Sequence, residues 1–336
     1  MYPQQGKTSV PRRRLRPPGC HEHQGIFDMN FTSAHFCNRV LGKASKLIQR
    51  SFIPVGIQSA VHRARIGIVQ HYLTQQYGSL INAYQPLVKD PAELNLPADK
   101  IIWVCWLQGL DHAPEIVKKC IANLQLFHGE DCTIHLITLE NYKNFVTLPR
   151  HIEEKFEKKL MKPAHFSDVL RLCLLAKHGG AWIDSTVLIL KKLPDDVFNE
   201  QFFTLKSHSY STISSISLGK WTTFFLQARR GYTPVLFLRD LLIQYWQGHD
   251  KELDYFLFDH AISIAYQHFP EFKYQVDHLG YFGNHRHLLM PLLLTEYSAE
   301  AASPINEDPV QIYKLTYKID STHTVPQHSF YQHYIK

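Results

Sequence analysis

The sequence lacks the signatures of a membrane-spanning or secreted protein. It contains no apolar run of the roughly 18 residues that a spanning helix needs. Its N-terminal segment is rich in Pro, Arg and His and has no apolar centre, so we expect no secretory signal. The six cysteines form no C-x-x-C pair and several lie in apolar segments, which indicates buried thiols and a reducing, cytoplasmic setting.

Several ligand-binding signatures are missing as well. Neither G-x-x-x-x-G-K-[ST] nor G-x-G-x-x-G occurs, so we set aside P-loop enzymes and dinucleotide-binding Rossmann enzymes. The 21 histidines are scattered and form no H-E-x-x-H motif. The net charge of +6 is too small to argue for nucleic-acid binding, although it suits phosphate or anionic lipid ligands.

The chain does have enough apolar residues for a large core. Its 336 residues, 45% of them hydrophobic, allow one large domain with an extension, or two domains. We predict a disordered basic tail over residues 1–35, a helical extension over residues 36–97, and the main domain over residues 98–336. Residues 36–52 combine apolar helical spacing with Arg and Lys, as in a helix on an anionic membrane or one packed on the domain.

Patterns along the main domain predict an α/β sheet. KIIWVCWLQG predicts a first strand, residues 113–127 a helix, and CTIHLIT a second strand. This order suits a doubly wound, nucleotide-binding sheet. Further along, QFFTL and TISSISL predict strands, whereas residues 221–230 and 234–246 predict helices.

Residues 165–190, HFSDVLRLCLLAKHGGAWIDSTVLIL, are the most informative segment. The pattern predicts a buried helix, a corner at Gly179 and Gly180, and one buried strand over residues 181–190. The glycine pair would let a ligand's phosphate approach the backbone closely.

Charged side chains lie within this otherwise apolar segment. Asp168 and Arg171 are three apart on the helix, and alternation along the strand places Trp182, Asp184 and Thr186 on one side. Buried charges must pair or face a ligand. Asp168 and Arg171 therefore form either a structural ion pair or part of a site, and Asp184 either caps the strand end or belongs to that site.

The motif SDVLRLCLLAKHGGAWIDSTV resembles the core motif of the capsular polysaccharide synthesis glycosyltransferases. It is also similar to the wider group of sugar transferases with a D-x-D motif, which includes yeast-type mannosyltransferases and the glucosylating clostridial toxins. The shared pattern is S-D-x-x-R, an apolar run, G-G, and a strand that carries D-x-D. The resemblance covers roughly residues 98–325 and is weaker toward the C-terminus.

The resemblance implies a GT-A-like fold, a nucleotide-sugar donor, a divalent metal and retention of anomeric configuration. The opening strand matches at IIWVCWLQG, which places the family's base-stacking tryptophan at Trp106. Core packing is the alternative for both Trp103 and Trp106, and we expect one in the core and Trp106 in the site. LDYFLFDHAISIAY matches a family run in which Asp259 is the expected site acid and Asp254 a helix cap. The nucleotide-sugar-binding residues expected by resemblance are Trp106, Gly109, Ser167, Asp168, Arg171, Gly179, Gly180, Asp184, Thr186, Asp259, Lys314, Lys318 and His323.

The expected catalytic residues are Asp184, Asp168 and Arg171, and Asp184 is the expected metal ligand. Thr186 replaces the second acid of D-x-D, although the capsular branch shows W-x-D-x-T here. A threonine hydroxyl is a poor ligand for Mn²⁺ or Mg²⁺. Asp184 could therefore bind the metal alone, bind it through water, or hold only ribose and sugar hydroxyls.

Two functions from different classes follow from the resemblance. The first is a transferase, of bacterial type, that moves a sugar from a UDP-sugar to a capsular or other surface glycan or a lipid-linked oligosaccharide. The second is a non-catalytic relative that binds nucleotide sugars or glycans after loss of the metal site. Glycoside hydrolysis also uses paired carboxylates, but the S-D-x-x-R and G-G-x-x-x-D array favours a donor site. The first function predicts cytoplasmic localisation, with peripheral contact to an anionic membrane as an option.

Overall fold

The computed structural model describes residues 29–49, 53–90, 100–210, 215–319 and 325–336. The predicted disorder of residues 1–28 therefore lies outside the described residues, while residues 31–35 of the predicted tail are helical. The elements in chain order are α1 (Phe31–Gln49), α2 (Val55–Gln76), α3 (Gly78–Tyr84), β1 (Ile101–Cys105), α4 (Glu115–His128), β2 (Thr133–Ile137), α5 (Arg150–Glu157), α6 (Pro163–His178), β3 (Gly180–Ile183), β4 (Val187–Ile189), α7 (Asp196–Asn199), β5 (Phe202–Thr204), β6 (Phe225–Ala228), α8 (Thr233–Gly248), α9 (Leu257–His268), α10 (Pro270–His278), α11 (Ala299–Asn306), β7 (Ile312–Lys314) and α12 (Phe330–Tyr334).

The main sheet has five strands in the order β2-β1-β3-β6-β5. Strands β1, β2 and β3 are parallel, and β6 runs antiparallel to both of its neighbours. The predicted α/β class, with helices around a mixed sheet and a helical N-terminal region, is confirmed. Because β2 and β3 lie on opposite sides of β1, the strand order reverses there, and ligands bind at the carboxyl ends of strands beside such a reversal.

The single strand predicted over residues 181–190 is in fact two strands in two sheets. Strand β3 ends at Ile183, and a turn closed by the Val187 amide donating to the Asp184 carbonyl at 2.9 Å precedes β4. Strand β4 then pairs antiparallel with β7, with Val187 opposite Lys314. The prediction was wrong because a continuous apolar pattern does not reveal a turn whose polar residues serve a site.

Residues 221–230, predicted to be helical, instead contain strand β6. The run FLQA pairs with β3 on one side and β5 on the other, so tertiary pairing outweighs the local pattern. Residues 215–218, from the predicted strand TISSISL, form bends and turns. The predicted strand QFFTL and the predicted helix over residues 234–246 are confirmed as β5 and α8.

The N-terminal helices share the core of the main domain. Val69, Tyr72 and Leu73 of α2 are buried in the same cluster as Trp103 and Leu170. Helix α1 buries a narrow face and leaves other apolar side chains in solvent. Within the described ranges no helix is long and apolar enough to cross a membrane.

Candidate functional site

A cleft of about 470 Å³ opens at the carboxyl ends of β1 and β3, where the strand order reverses. The residues that follow these two strands, Trp106 and Asp184, both line it. Helix α6, α9 and the residue that ends β7 complete the walls. The lining residues are Cys105, Trp106, Leu107, Gln108, Pro163, Ala164, Ser167, Asp168, Arg171, Trp182, Asp184, Ser185, Thr186, Thr223, Phe224, Tyr255, Phe256, Phe258, Asp259, Lys314 and Tyr317.

Asp184 is the centre of a polar network in this cleft. Its Oδ1 accepts a hydrogen bond from the Trp182 indole at 2.9 Å and lies 3.4 Å from an Arg171 nitrogen. Its Oδ2 lies 3.3 Å from the Lys314 ammonium. Both carboxylate oxygens are thus held by donors, which fixes the orientation of this side chain.

Arg171 is buried and joins two carboxylates. One guanidinium nitrogen lies 3.2 Å from Asp168 and 3.4 Å from Asp184, and another donates to the Thr223 carbonyl. The guanidinium lies 4.8 Å from the centre of the Trp182 ring, a distance at which cation–π attraction acts. Its Nε finds no hydrogen-bond partner among the described residues. The ion pair predicted as a structural alternative therefore exists, but it lies in the wall of the cleft.

Lys314 reaches the cleft because of the second sheet. The pairing of β4 with β7 puts Lys314 opposite Val187, and the amide of Leu315 donates to the Thr186 carbonyl at 2.8 Å. The Lys314 ammonium consequently donates to the hydroxyl of Thr186 as well as pairing with Asp184. A cationic side chain thus lies between the first and third positions of the D-x-T motif.

These side chains fit a resident divalent metal poorly. Hard cations prefer several carboxylate or phosphate oxygens. Within the D-x-T motif, Asp184 is the one carboxylate and is already engaged by two cations, while Thr186 contributes a neutral hydroxyl. Asp168, which also lines the cleft, is itself paired with Arg171. The described part of the chain contains no cluster of three or more His, Cys, Asp or Glu side chains suited to a metal. Lys314 already places a positive charge beside Asp184.

Asp259 lies on α9 and lines the same cleft. Loss of solvation raises its pKa from the ordinary 3.8 to about 7, and the nearby carboxylate of Asp168 adds to this effect. The Trp221 indole donates to its Oδ1 at 3.2 Å. This hydrogen bond favours the ionised form and offsets part of the rise in pKa. Asp259 is therefore a carboxyl group that changes charge near neutral pH.

Asp254 was predicted to cap the following helix, and the structure gives it another role. Its Oδ1 accepts from the Phe256 amide at 2.8 Å, ahead of α9, while its Oδ2 pairs with Arg65 of α2. Asp254 is buried, so it links two parts of the chain instead of capping α9.

The two tryptophans of the first strand have different environments, as predicted. Trp103 is buried, and its indole donates to the Gly179 carbonyl at 2.9 Å. Trp106 lines the cleft, where its ring packs edge-to-face against Tyr317 with centroids 5.1 Å apart. The proposed stacking of a base on Trp106 stays a prediction.

Gly179 and Gly180 lie at the start of β3, roughly 13 Å along the strand from Asp184. A Cβ on Gly180, whose φ is +89°, would lie 2.5 Å from the Ile101 carbonyl oxygen. The close packing of β3 on β1 therefore accounts for Gly180, and neither Gly179 nor Gly180 lines the cleft. Gly109 has a φ of +80° in a turn after β1 and is outside the cleft lining.

Of the remaining residues predicted to bind the nucleotide sugar, some line the cleft and others do not. Ser167 and Thr186 line the cleft, whereas Lys318 is exposed on the surface with its ammonium over the Tyr317 ring. His323 lies outside the described residues. Sequence reasoning missed the aromatic side chains of the cleft, which are Tyr255, Phe256, Phe258, Phe224 and Tyr317. Three of them lie within LDYFLFD, whose high density of aromatic residues was a usable signal.

Comparisons with known proteins find similarity to glycosyltransferases. With O-glycosyltransferase braB of Annulohypoxylon truncatum, the chain is 29% identical over 112 residues, which are 31% of this chain and 26% of that protein. With glycosyltransferase afumC of Aspergillus fumigatus, it is 24% identical over 159 residues, which are 44% of this chain and 40% of that protein. The chain thus spans less than half the length of these fungal relatives, and the predicted bacterial source gains no support from them.

A solved structure, PaToxG Glycosyltransferase, matches 63% of this chain and 83% of its own at 15% identity, with a TM-score of 0.39. A model of the capsular polysaccharide synthesis protein family matches residues 49–334. That match covers most of the chain, including strands β1 and β3 and helix α6, which line the cleft. This protein therefore belongs to the capsular polysaccharide synthesis protein family.

Proposed function

We propose that this protein is a glycosyltransferase that uses a nucleotide-sugar donor, specifically a UDP-sugar, and a surface glycan or lipid-linked oligosaccharide as acceptor. The observation that supports this most is the pairing of Asp184 with Arg171 and Lys314 at the carboxyl ends of β1 and β3. A cleft that combines fixed cations with an indole suits a nucleoside diphosphate, because its phosphates need positive charge and its base needs a flat apolar face.

In the proposed reaction, the bond between the anomeric carbon and the diphosphate oxygen breaks, and that carbon bonds to the acceptor hydroxyl oxygen. Retention of configuration is part of the proposal, with the departing diphosphate taking the hydroxyl proton. Lys314 and Arg171 would offset the charge that grows on the diphosphate. Asp184 would orient both cations and accept a hydrogen bond from a donor hydroxyl. Trp106 would stack on the base.

A divalent metal, Mn²⁺ or Mg²⁺ at Asp184, remains the competing proposal for charge neutralisation. It would have to displace Lys314 from Asp184 and Thr186, and its bound form would add a Lewis acid at the diphosphate. Because the donor set fits a metal poorly, we assign the neutralising charge to side chains of this chain. No reaction step in the proposal depends on a metal.

Thermal unfolding with UDP and with GDP, each with and without Mn²⁺, tests this proposal. A ligand that binds only the native state raises the unfolding midpoint. We expect UDP to raise the midpoint without Mn²⁺. In a separate assay, we expect the protein to hydrolyse a UDP-sugar donor measurably. Stabilisation by UDP without any hydrolysis or transfer would instead favour the non-catalytic binding relative. No stabilisation by either nucleotide would contradict the donor site.

A further inference from the structure

A second cavity, of about 590 Å³, lies between α1, α2 and the segment of residues 251–256. We call it the basic pocket. Basic side chains come from both helices and from the segment. The basic pocket is lined by His35, Asn38, Arg39, Gly42, Lys43, Ser45, Lys46, His62, Arg65, Lys251, Glu252, Leu253, Asp254, Tyr255 and Phe256.

The two acids of this pocket do not balance all of its positive charge. Glu252 pairs with Lys162, and Asp254 pairs with Arg65. By contrast, three basic residues on α1 form no ion pair with any residue that the structure describes; they are Arg39, Lys43 and Lys46. Burial and the positive charges of Lys251 and Arg39 also lower the pKa of His35. An uncompensated group of cations in a concave site favours an anion with more than one charge.

The floor of the basic pocket is rigidly built. The Asn38 amide donates to the Leu253 carbonyl at 2.6 Å and to Asp254 at 3.0 Å. Arg65 in turn donates to the Asn38 side chain at 2.7 Å and pairs with Asp254. Residues from α1, α2 and the 251–256 segment therefore form one buried hydrogen-bonded unit, which holds the segment against the helices.

The same segment borders the donor cleft. Tyr255 and Phe256 line both cavities and are 59% and 44% exposed, with their rings packed edge-to-face at 5.1 Å. Exposed rings of this kind offer apolar faces on which a sugar can lie. A molecule crossing them would reach the cleft with one end and the basic pocket with the other.

We propose that the basic pocket binds a phosphate or diphosphate group of the acceptor, while the acceptor sugar crosses Tyr255 and Phe256 toward the donor cleft. This inference rests on the proposed glycosyl transfer and adds the chemical class of the acceptor. The phosphate could belong to a soluble sugar phosphate or to a lipid. Phe36 and Val40 on the exposed face of α1 are 66% and 46% exposed beside Arg39 and Lys43, so a lipid surface could present the same group.

The first experiment measures binding of inorganic pyrophosphate to the full chain by calorimetry. Because the donor cleft also accommodates a diphosphate, the measurement uses a Lys314→Met background. We expect pyrophosphate to bind this variant, and Lys43→Gln with Lys46→Gln to weaken that binding by about tenfold or more. The matched control, Lys100→Gln with Arg230→Gln, also removes two exposed positive charges and should change the affinity by less than about twofold.

Two results together would overturn the proposal. Pyrophosphate binding would disappear with Lys314→Met, and in the wild-type background it would be unchanged by the Lys43 and Lys46 substitutions. Those results would leave UDP stabilisation and donor hydrolysis intact. Failure of the proposed function would look different, because pyrophosphate would still bind the basic pocket while UDP would not stabilise the protein.

The second experiment distinguishes the two sources of phosphate. Co-sedimentation is measured with phosphatidylcholine vesicles, with and without phosphatidylglycerol. Binding only to the anionic vesicles, reduced by Phe36→Ser with Val40→Ser, supports a lipid-borne phosphate. Pyrophosphate binding without vesicle binding supports a soluble acceptor. Absence of binding to both probes would overturn the proposed site.

Discussion

The ammonium of Lys314 lies 3.3 Å from a carboxylate oxygen of Asp184 and donates to the hydroxyl of Thr186. The two motif residues are two apart in sequence, while Lys314 is far along the chain and arrives through β7. Where the D-x-D pattern has a second acid, this chain has a neutral hydroxyl that accepts from a lysine. The positive charge beside Asp184 is thus covalently part of the protein.

The first prediction concerns this lysine. Lys314→Met should lower turnover by about 10²–10³-fold, because a cation aimed at the leaving diphosphate acts mainly in the transition state. Lys100→Met is the matched control, since Lys100 is exposed, precedes β1 and is outside the cleft lining, and it should stay near wild-type activity. Steady-state kinetics with and without EDTA provide the measurement.

Two results would contradict this assignment. Complete loss of wild-type activity in EDTA, restored by Mn²⁺, would return the neutralising role to a metal. Equal losses in the Lys314 and Lys100 variants would mean that the effect is not specific to the side chain beside Asp184.

Asp184→Asn should abolish measurable transfer while preserving the fold. The amide oxygen can still accept from Trp182, but Arg171 and Lys314 lose their shared negative partner. We expect at least a roughly 10³-fold loss of turnover and only a modest fall in the unfolding midpoint, since Asp184 is partly exposed. Asp111→Asn, an exposed carboxylate outside the cleft, serves as the control. Near-wild-type turnover by the Asp184 variant would remove Asp184 from the reaction.

Substitution of Trp106 should change nucleotide affinity, whereas substitution of Trp103 should change the free energy of unfolding. Trp106→Ala should weaken binding of free UDP by about 1–3 kcal/mol, because it removes the proposed stacking surface. Trp103→Phe should instead lower the free energy of unfolding by about 1–2 kcal/mol, through a smaller ring and a lost hydrogen bond to Gly179. Calorimetry and denaturant unfolding measure the two effects. Unchanged UDP affinity of the Trp106 variant would exclude the stacking role.

Asp259 should impose a pH dependence near neutrality. Its pKa is raised to about 7, so it is mostly protonated at pH 6 and mostly ionised at pH 8. If the ionised form accepts a hydrogen bond from a sugar hydroxyl, turnover should fall as the pH falls through 7. Asp259→Asn keeps the contact with Trp221 and should remove this step from the pH profile. A profile identical to that of the wild-type protein would assign the step to another group.

The same residue has a consequence for stability with a definite sign. Because its pKa is higher in the folded protein than the ordinary 3.8, the folded state holds the proton more tightly. Stability from this group should therefore decline as the pH rises from about 4 to 7 and stay reduced above that range. At pH 8, Asp259→Asn should be more stable than the wild-type protein by on the order of 1–3 kcal/mol. A less stable variant at that pH would contradict the assignment.

Sequence patterns identified much of the frame of this site. The helix that carries Asp168 and Arg171, the first strand that ends before Trp106, and the cleft position of Asp184 all followed from apolar periodicity and the motif. These features are local, because each depends on residues within one helix or strand. The positions of Trp103 in the core and Trp106 at the cleft match the expectation, while the stacking role of Trp106 stays a prediction.

Other features could not be read from local patterns. The helix expected over residues 221–230 is strand β6, since its conformation depends on pairing with β3 and β5. Gly180 looked like a place for phosphate, but its lack of a Cβ is required by the Ile101 carbonyl of a neighbouring strand. Both errors arise because the deciding contact comes from a distant part of the chain.

The sequence by itself determined the family motif, the α/β class and the placement of an acid and an arginine beside an apolar strand. Only the tertiary structure decided that Asp184 follows a strand break, that Lys314 lies against it, and that Asp254 joins Arg65 rather than capping a helix. The physical reason is that periodicity records how one segment meets its immediate surroundings. Charge pairs between segments depend on strand register and packing, which no single segment specifies.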